Sequence, residues 1–190
     1  MTVATVKQES FHGLTPGKVG IWWFLASEIM IFGGLLASFV AFRLGRPEWG
    51  EAAEHLNLAI AMTNTVILLT SSLTVALAIA ALERGDQAGM RRHLGLTILL
   101  GLAFLGMKGV EYTGEIRAGY VPWSGTFWSY YYTMTGLHGL HVLGGIVANA
   151  LLWATTGWRA RSPHRLELAG LYWHFVDVVW IFLFPLLYLA

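Results

Sequence analysis

Cysteine is absent from the 190 residues. Its absence excludes disulfides, thiolate metal sites and cysteine nucleophiles outright. Charge is scarce too: Asp, Glu, Lys and Arg make up 12% of the chain, against about 25% in an ordinary soluble domain. The formal net charge is +1, so no strongly basic surface is on offer and no nucleic-acid partner is expected. No loop is large enough to be a soluble domain, and neither a low-complexity segment nor a clear internal repeat is visible. The opening "MTVATVKQESFHGLTPGK" has no short apolar core ending in a small-residue cleavage site. No signal peptide is therefore expected, and the first apolar segment is expected to stay in the mature protein.

Apolar side chains are abundant. Hydrophobic residues make up 56% of the chain, with 9 Trp and 10 Phe. Five apolar stretches, near 19–43, 57–83, 92–117, 126–156 and 166–189, are each as long as the roughly 20 residues a helix needs to cross a bilayer. The connections "RLGRPEWGEAAEHLN", "ERGDQAGMRR", "GEIRAGYVPWSG" and "TGWRARSPHRLE" are short and carry the Gly, Pro and charges of turns and loops. The expected fold is all-α, an integral membrane bundle of five transmembrane helices over 19–190, preceded by a polar N-terminal segment over 1–18. Five crossings place Lys7, Lys18, Arg84, Arg91, Arg92, Arg159, Arg161 and Arg165 on one side. The other side has Arg43, Arg46 and Arg117, with Lys108 just inside the membrane. That bias puts the N-terminus in the cytoplasm and the C-terminus outside. Gly34 with Ser38 and Ala76 with Ala80 form small-xxx-small pairs, and Gly136, Gly139, Gly144 and Gly145 crowd the fourth stretch. Close helix packing is the simple reading of all of them.

The main functional signal is the set of ionisable groups inside these stretches, because such groups are costly in a bilayer and usually functional. Glu28 lies in "FLASEIMIFGG", His138 and His141 in "TGLHGLHVLGG", His174 and Asp177 in "WHFVD", and Lys108, Glu111 and Glu115 in "MKGVEYTGE". The i, i+3 spacings put each pair on one helix face. At 1.5 Å per residue, Glu28, His141, His174 and Asp177 all fall roughly 10–20 Å from the cytoplasmic side. The matched depth predicts a buried polar layer joining the first, fourth and fifth spans, with Glu28 bonding a histidine of the fourth. His174 and Asp177 would face protein or a lipid headgroup. Lys108 would pair with Glu111 or Glu115. Spacing leaves three uses open: a metal or haem site, structural polar packing, and a proton or ion path. A di-iron carboxylate centre would need Glu-x-x-His repeats that are not present.

Several of these stretches resemble subunit III of the haem-copper respiratory oxidases, typified by cytochrome c oxidase. They are "YWHFVDVVWIFLFPLLY", "GLHGLHVLGG", the Ser27–Glu28 pair before an apolar Gly/Phe run, "NTVILLTSS" and "KGVEYTGEI", in the family's order. The resemblance runs from Gly20 to the end. It implies an accessory, metal-free subunit that packs on catalytic subunit I and binds phospholipid. Such a subunit supports proton uptake and slows turnover-linked inactivation. Haem and copper would lie in partner subunits. The implied partners are subunit I, other oxidase subunits, phospholipids and a respiratory supercomplex; the implied location is the bacterial inner (plasma) membrane, multi-pass. By motif, Glu28 resembles the buried carboxylate that reacts with hydrophobic carbodiimides. The resemblance implies lipid or interhelical contacts for His138, His141, His174, Asp177 and Glu111, with no catalytic and no metal-ligating residue. Many family members have seven spans; this sequence shows five, the bacterial pattern, without the two that wall a lipid cleft. Similar subunits serve quinol oxidases and nitric-oxide-reductase complexes, and the Lys108–Glu111–Tyr112 pattern leans toward the cytochrome c type. Rival classes are a stand-alone proton or ion transporter, for which no inverted repeat is visible, and a membrane metalloenzyme.

Overall fold

A computed structural model describes residues 16–46, 48–155 and 163–189. Lys7, Arg159 and Arg161, which enter the orientation argument, lie outside the described residues, as does most of the 1–18 segment. Six helices and no strand appear among the described residues: α1 (Pro16–Arg43), α2 (Glu48–Glu54), α3 (Leu58–Glu83), α4 (Gln87–Arg117), α5 (Thr126–Thr155) and α6 (Pro163–Tyr188). Five of them are long and apolar enough to span a membrane.

The short helix α2 falls where the sequence reads as a loop. Its seven residues have no apolar period long enough to announce a helix, and helices this short are marginal on their own. Tertiary packing holds it. Trp49 and Ala53 are buried, and the Trp49 ring packs against Phe39 of α1 and against Phe127 and Tyr130 of α5.

Local chemistry sets the helix ends. Asn57 caps α3, its side-chain oxygen accepting from the Ile60 N–H at 3.1 Å, and Asp86 caps α4 by accepting from the Gly89 N–H at 2.8 Å. Between α3 and α4 the chain reverses through Gly85 at φ +77°, a conformation glycine adopts without steric cost. Asn57→Ala and Asp86→Ala should each lower stability by about 1 kcal/mol, the usual cost of losing an N-cap. A thermal unfolding series on the two variants checks this, and an unchanged midpoint in both would refute the caps' contribution.

Helix α6 is the central element. It packs on α3, α5 and α1, while α3 also packs on α4 and α4 on α5. Lys18 meets Glu167 at 3.1 Å and Arg43 donates to the Leu186 carbonyl at 3.2 Å, so α1 and α6 run parallel. Three polar contacts zip α6 to α3. Trp173 Nε1 donates to Ser71 Oγ and Trp180 Nε1 to Thr65 Oγ1, each at 3.0 Å, and His174 Nδ1 is hydrogen-bonded to Ser72 Oγ. Trp173 is fully buried because two glycines make room for it. A Cβ on Gly101 would lie 2.8 Å from its ring, and one on Gly145 would lie 2.6 Å from it. The small-residue reading holds at Gly145 but not at Gly34, where a Cβ would meet nothing within 4 Å.

Candidate functional site

Glu28 and His141 come together between α1 and α5. His141 Nδ1 lies 2.8 Å from the Leu137 carbonyl. A carbonyl only accepts, so Nδ1 carries a proton. Nε2 lies 3.0 Å from Glu28 Oε2, and that contact needs a proton as well. The pair is therefore either imidazolium with carboxylate or imidazole with carboxylic acid. In both forms it holds one proton more than a neutral imidazole beside a carboxylate. Tyr172 of α6 donates to the His141 carbonyl at 2.9 Å, so all three helices meet at this level. That is the layer expected from depth, with Tyr172 in place of His174 and Asp177.

Lys108 occupies a second site, nearer the Arg117 end of α4. It is 6% exposed and donates to Glu111 Oε2 at 2.9 Å and to the Tyr188 hydroxyl at 2.7 Å. The Tyr188 hydroxyl in turn donates to Glu111 Oε1 at 2.6 Å. Aromatic faces enclose the ammonium, with the Tyr112, Tyr131, Trp180 and Tyr188 ring centroids 5.0–5.4 Å away, within the range where a cation is attracted to a ring. Glu115 is buried one turn further on and makes no ion pair with Lys108 among the described residues. Tyr131 and Tyr188 were not legible as members of this site. They come from α5 and α6, and no local spacing connects them to Lys108.

The remaining polar positions separate. His138 is fully buried, with neither ring nitrogen bonded among the described residues. Its ring sits 5.2 Å from Trp180 and 5.5 Å from Phe104. His174 turns to α3 and Ser72. Asp177 is buried beside Ser72, close enough for that hydroxyl to turn toward its carboxylate instead of toward His174. The i, i+3 neighbours thus share a helix face yet meet different partners. Asn64 and Asn149, which the sequence reading did not mark as site residues, are buried with no side-chain hydrogen bond among the described residues; their signal was an amide inside an apolar run. Among the described residues no three His, Cys, Asp or Glu side chains converge as a metal-binding group.

An apolar cleft of about 690 Å³ opens between α1 and α5 over α6. Phe24, Leu151, Leu152, Leu168 and Tyr172 line it, with Arg165 at the end of α6 that starts the helix. Tyr172 ties the cleft's floor to His141 and so to Glu28.

Long apolar helices joined by buried polar pairs define a multi-pass helical membrane protein. A family model described as cytochrome c oxidase subunit III matches residues 5–190. The "Cytochrome c oxidase subunit 3" of Corynebacterium diphtheriae is 39% identical over 177 residues, covering 90% of this chain and 86% of that one. Its namesake in Thermostichus vulcanus is 37% identical over 179 residues, with the same two shares. The "Probable cytochrome c oxidase subunit 3" of Mycobacterium leprae is 37% identical, covering 98% of this chain and 94% of that one. The chain belongs to the cytochrome c oxidase subunit III family. Membership makes it a membrane-bound subunit of the respiratory chain that associates with other oxidase subunits.

Proposed function

We propose that the chain is the accessory, metal-free subunit of a proton-pumping haem-copper terminal oxidase of the cytochrome c type. In this reading it stabilises catalytic subunit I, binds phospholipid and supports proton uptake. It lies in a bacterial plasma membrane with its N-terminus in the cytoplasm, as the Lys and Arg bias favours. The observation that carries the reading is the family match across residues 5–190.

The cleft supports the lipid role. Its walls suit an acyl chain, and Arg165 at one end suits a phosphate, as arginine pairs well with phosphate oxygens. The Glu28–His141 pair supports the proton role only as a local store. A proton shared across that 3.0 Å contact would stay local to α1 and α5.

Purification from native membranes in mild detergent tests the assignment. Haem absorbance and a large catalytic subunit should follow the chain, with phospholipid in the extract. Recovery of the chain alone and colourless would overturn the proposal, and recovery with a quinol oxidase or a nitric-oxide reductase would move it to that complex. Glu28→Gln keeps a hydrogen-bonding side chain opposite His141, so assembly and pumping should change only modestly. Complete loss of pumping with normal assembly and oxygen reduction would show that Glu28 does more than hold α1 to α5.

A further inference from the structure

Asp177 is a carboxyl group with no cation to hold it. It is 3% exposed and lies ~21 Å along α6 from Pro163, near the middle of the span. Trp173 and Trp180 sit a turn to either side on the same helix face. Both bond α3 through their indole N–H groups, to Ser71 and to Thr65. Asp177 therefore faces α3 too, and both indole protons are already committed. Among the described residues no Lys or Arg forms an ion pair with it. An uncompensated carboxylate at that depth would be costly.

The groups beside it are Ser72 and His174. His174, three residues earlier, shares the helix face, and its Nδ1 lies 2.5 Å from Ser72 Oγ. Ser72 lies next to the Asp177 carboxyl as well. Its neighbour Ser71 gives its proton to the Leu68 carbonyl, whereas Ser72 bonds no backbone acceptor among the described residues. A hydroxyl has one donor and two lone pairs, so Ser72 can accept from one side while donating to the other.

Two arrangements satisfy all three groups without net charge. In the first, the Asp177 carboxylic acid donates to Ser72 Oγ and Ser72 donates to His174 Nδ1. In the second, a His174 imidazolium donates to Ser72 Oγ and Ser72 donates to the Asp177 carboxylate. A carboxylate with a neutral imidazole would leave a negative charge buried without compensation, which is unfavourable.

We infer that Asp177, Ser72 and His174 form one proton-binding unit, in which the serine hydroxyl passes a proton between the carboxyl and the imidazole. The Asp177 O–H bond breaks as Ser72 Oγ takes that proton, and the original Ser72 O–H bond breaks as Nδ1 takes the other. The reverse step restores the acid, and the number of protons is the same in both forms. The unit differs from the Glu28–His141 contact, where carboxyl and ring meet directly. His174 is half-buried and Asp177 closed off, so the imidazole is the unit's open end. The inference does not depend on which complex the chain joins.

Isotope labelling of the intact complex in native membranes tests it. Labelled aspartate is read by infrared spectroscopy and labelled histidine by solid-state nitrogen NMR, with Asp177→Asn and His174→Phe assigning the two signals. One shared proton is expected, seen as a carboxylic acid with a neutral imidazole or as a carboxylate with an imidazolium. A carboxylate beside a neutral imidazole, or an acid beside an imidazolium, would overturn the unit. Ser72→Ala should shift both the Asp177 band and the His174 Nδ1 signal, and Ser72→Thr, which keeps a hydroxyl, should restore them. His174→Phe should also shift the Asp177 band, and that shift should shrink several-fold in the Ser72→Ala background. Equal shifts in the two backgrounds would mean that carboxyl and ring interact without the hydroxyl, which would overturn the relay. If the Ser72→Ala protein does not assemble, the proton count in the parent still decides the unit.

Discussion

Lys108→Met is expected to destabilise the protein by about 3–5 kcal/mol, the range for removing one partner of a buried ion pair. Methionine fills most of the space of the lysine stem, so packing loss is small and the effect is electrostatic. Glu111, almost wholly buried, would keep the Tyr188 hydroxyl at 2.6 Å and lose the cation that pairs with it among the described residues. The four aromatic rings around Lys108 Nζ would then present their negative faces to a site that holds a carboxylate and no cation. The double variant Lys108→Met, Glu111→Met should recover much of the loss, because no buried charge is left unpaired. Denaturation of the purified complex in detergent reads both changes. A single variant within 1 kcal/mol of the parent would mean that the pair behaves like an exposed one, and a double variant worse than the single would mean that the charge is not the source of the cost.

Trp173→Ala is expected to cost a similar amount, about 3–5 kcal/mol, by opening a cavity in the middle of the bundle. Trp173 is fully buried and lies between Gly101 of α4 and Gly145 of α5, while its indole N–H holds Ser71 of α3. One side chain thus touches three helices from a fourth. The same geometry makes the glycines intolerant. Gly145→Val forces a Cβ to within 2.6 Å of the ring, an overpacking that typically costs about 1–3 kcal/mol. If Trp173→Ala unfolded at the parent's denaturant midpoint, the bundle would have to collapse around the hole, and Gly145→Val should then be tolerated as well.

The five spans were legible because each is a long apolar run closed by charges, Gly or Pro, a signal that does not depend on neighbours. The α3 start differs from the sequence reading by one residue and α5 begins at Thr126 as read, while α4 begins at Gln87 rather than near 92. The segment Gln87–Arg91 is polar, and only the Asp86 cap shows that the helix continues through it. Depth along a helix was legible too, so Glu28 and the fourth span's histidines could be placed at one level. Rotation about the helix axis was not. Whether His138 or His141 meets Glu28 depends on how α5 is turned, which the packing of Trp173 and Trp180 decides and no local pattern records. The same limit hid Ser72. Its hydroxyl lies in the quoted stretch "NTVILLTSS", but its partner His174 is 102 residues away. Lys108 and Glu111 were readable as an i, i+3 pair, and the tyrosines around them were not.

Helix α6 follows every other span in chain order, yet it is the element on which α1, α3 and α5 all rest. Ribosomal synthesis therefore commits α4, with its lysine and glutamate, to the lipid before Tyr188 has been made. In that interval the ammonium and carboxylate have each other and Tyr131, and the Glu28–His141 pair lacks the Tyr172 contact beneath it. The vectorial order of translation leaves this bundle open down its axis until its keystone arrives. Membrane insertion and completion of the tertiary fold are accordingly separate events.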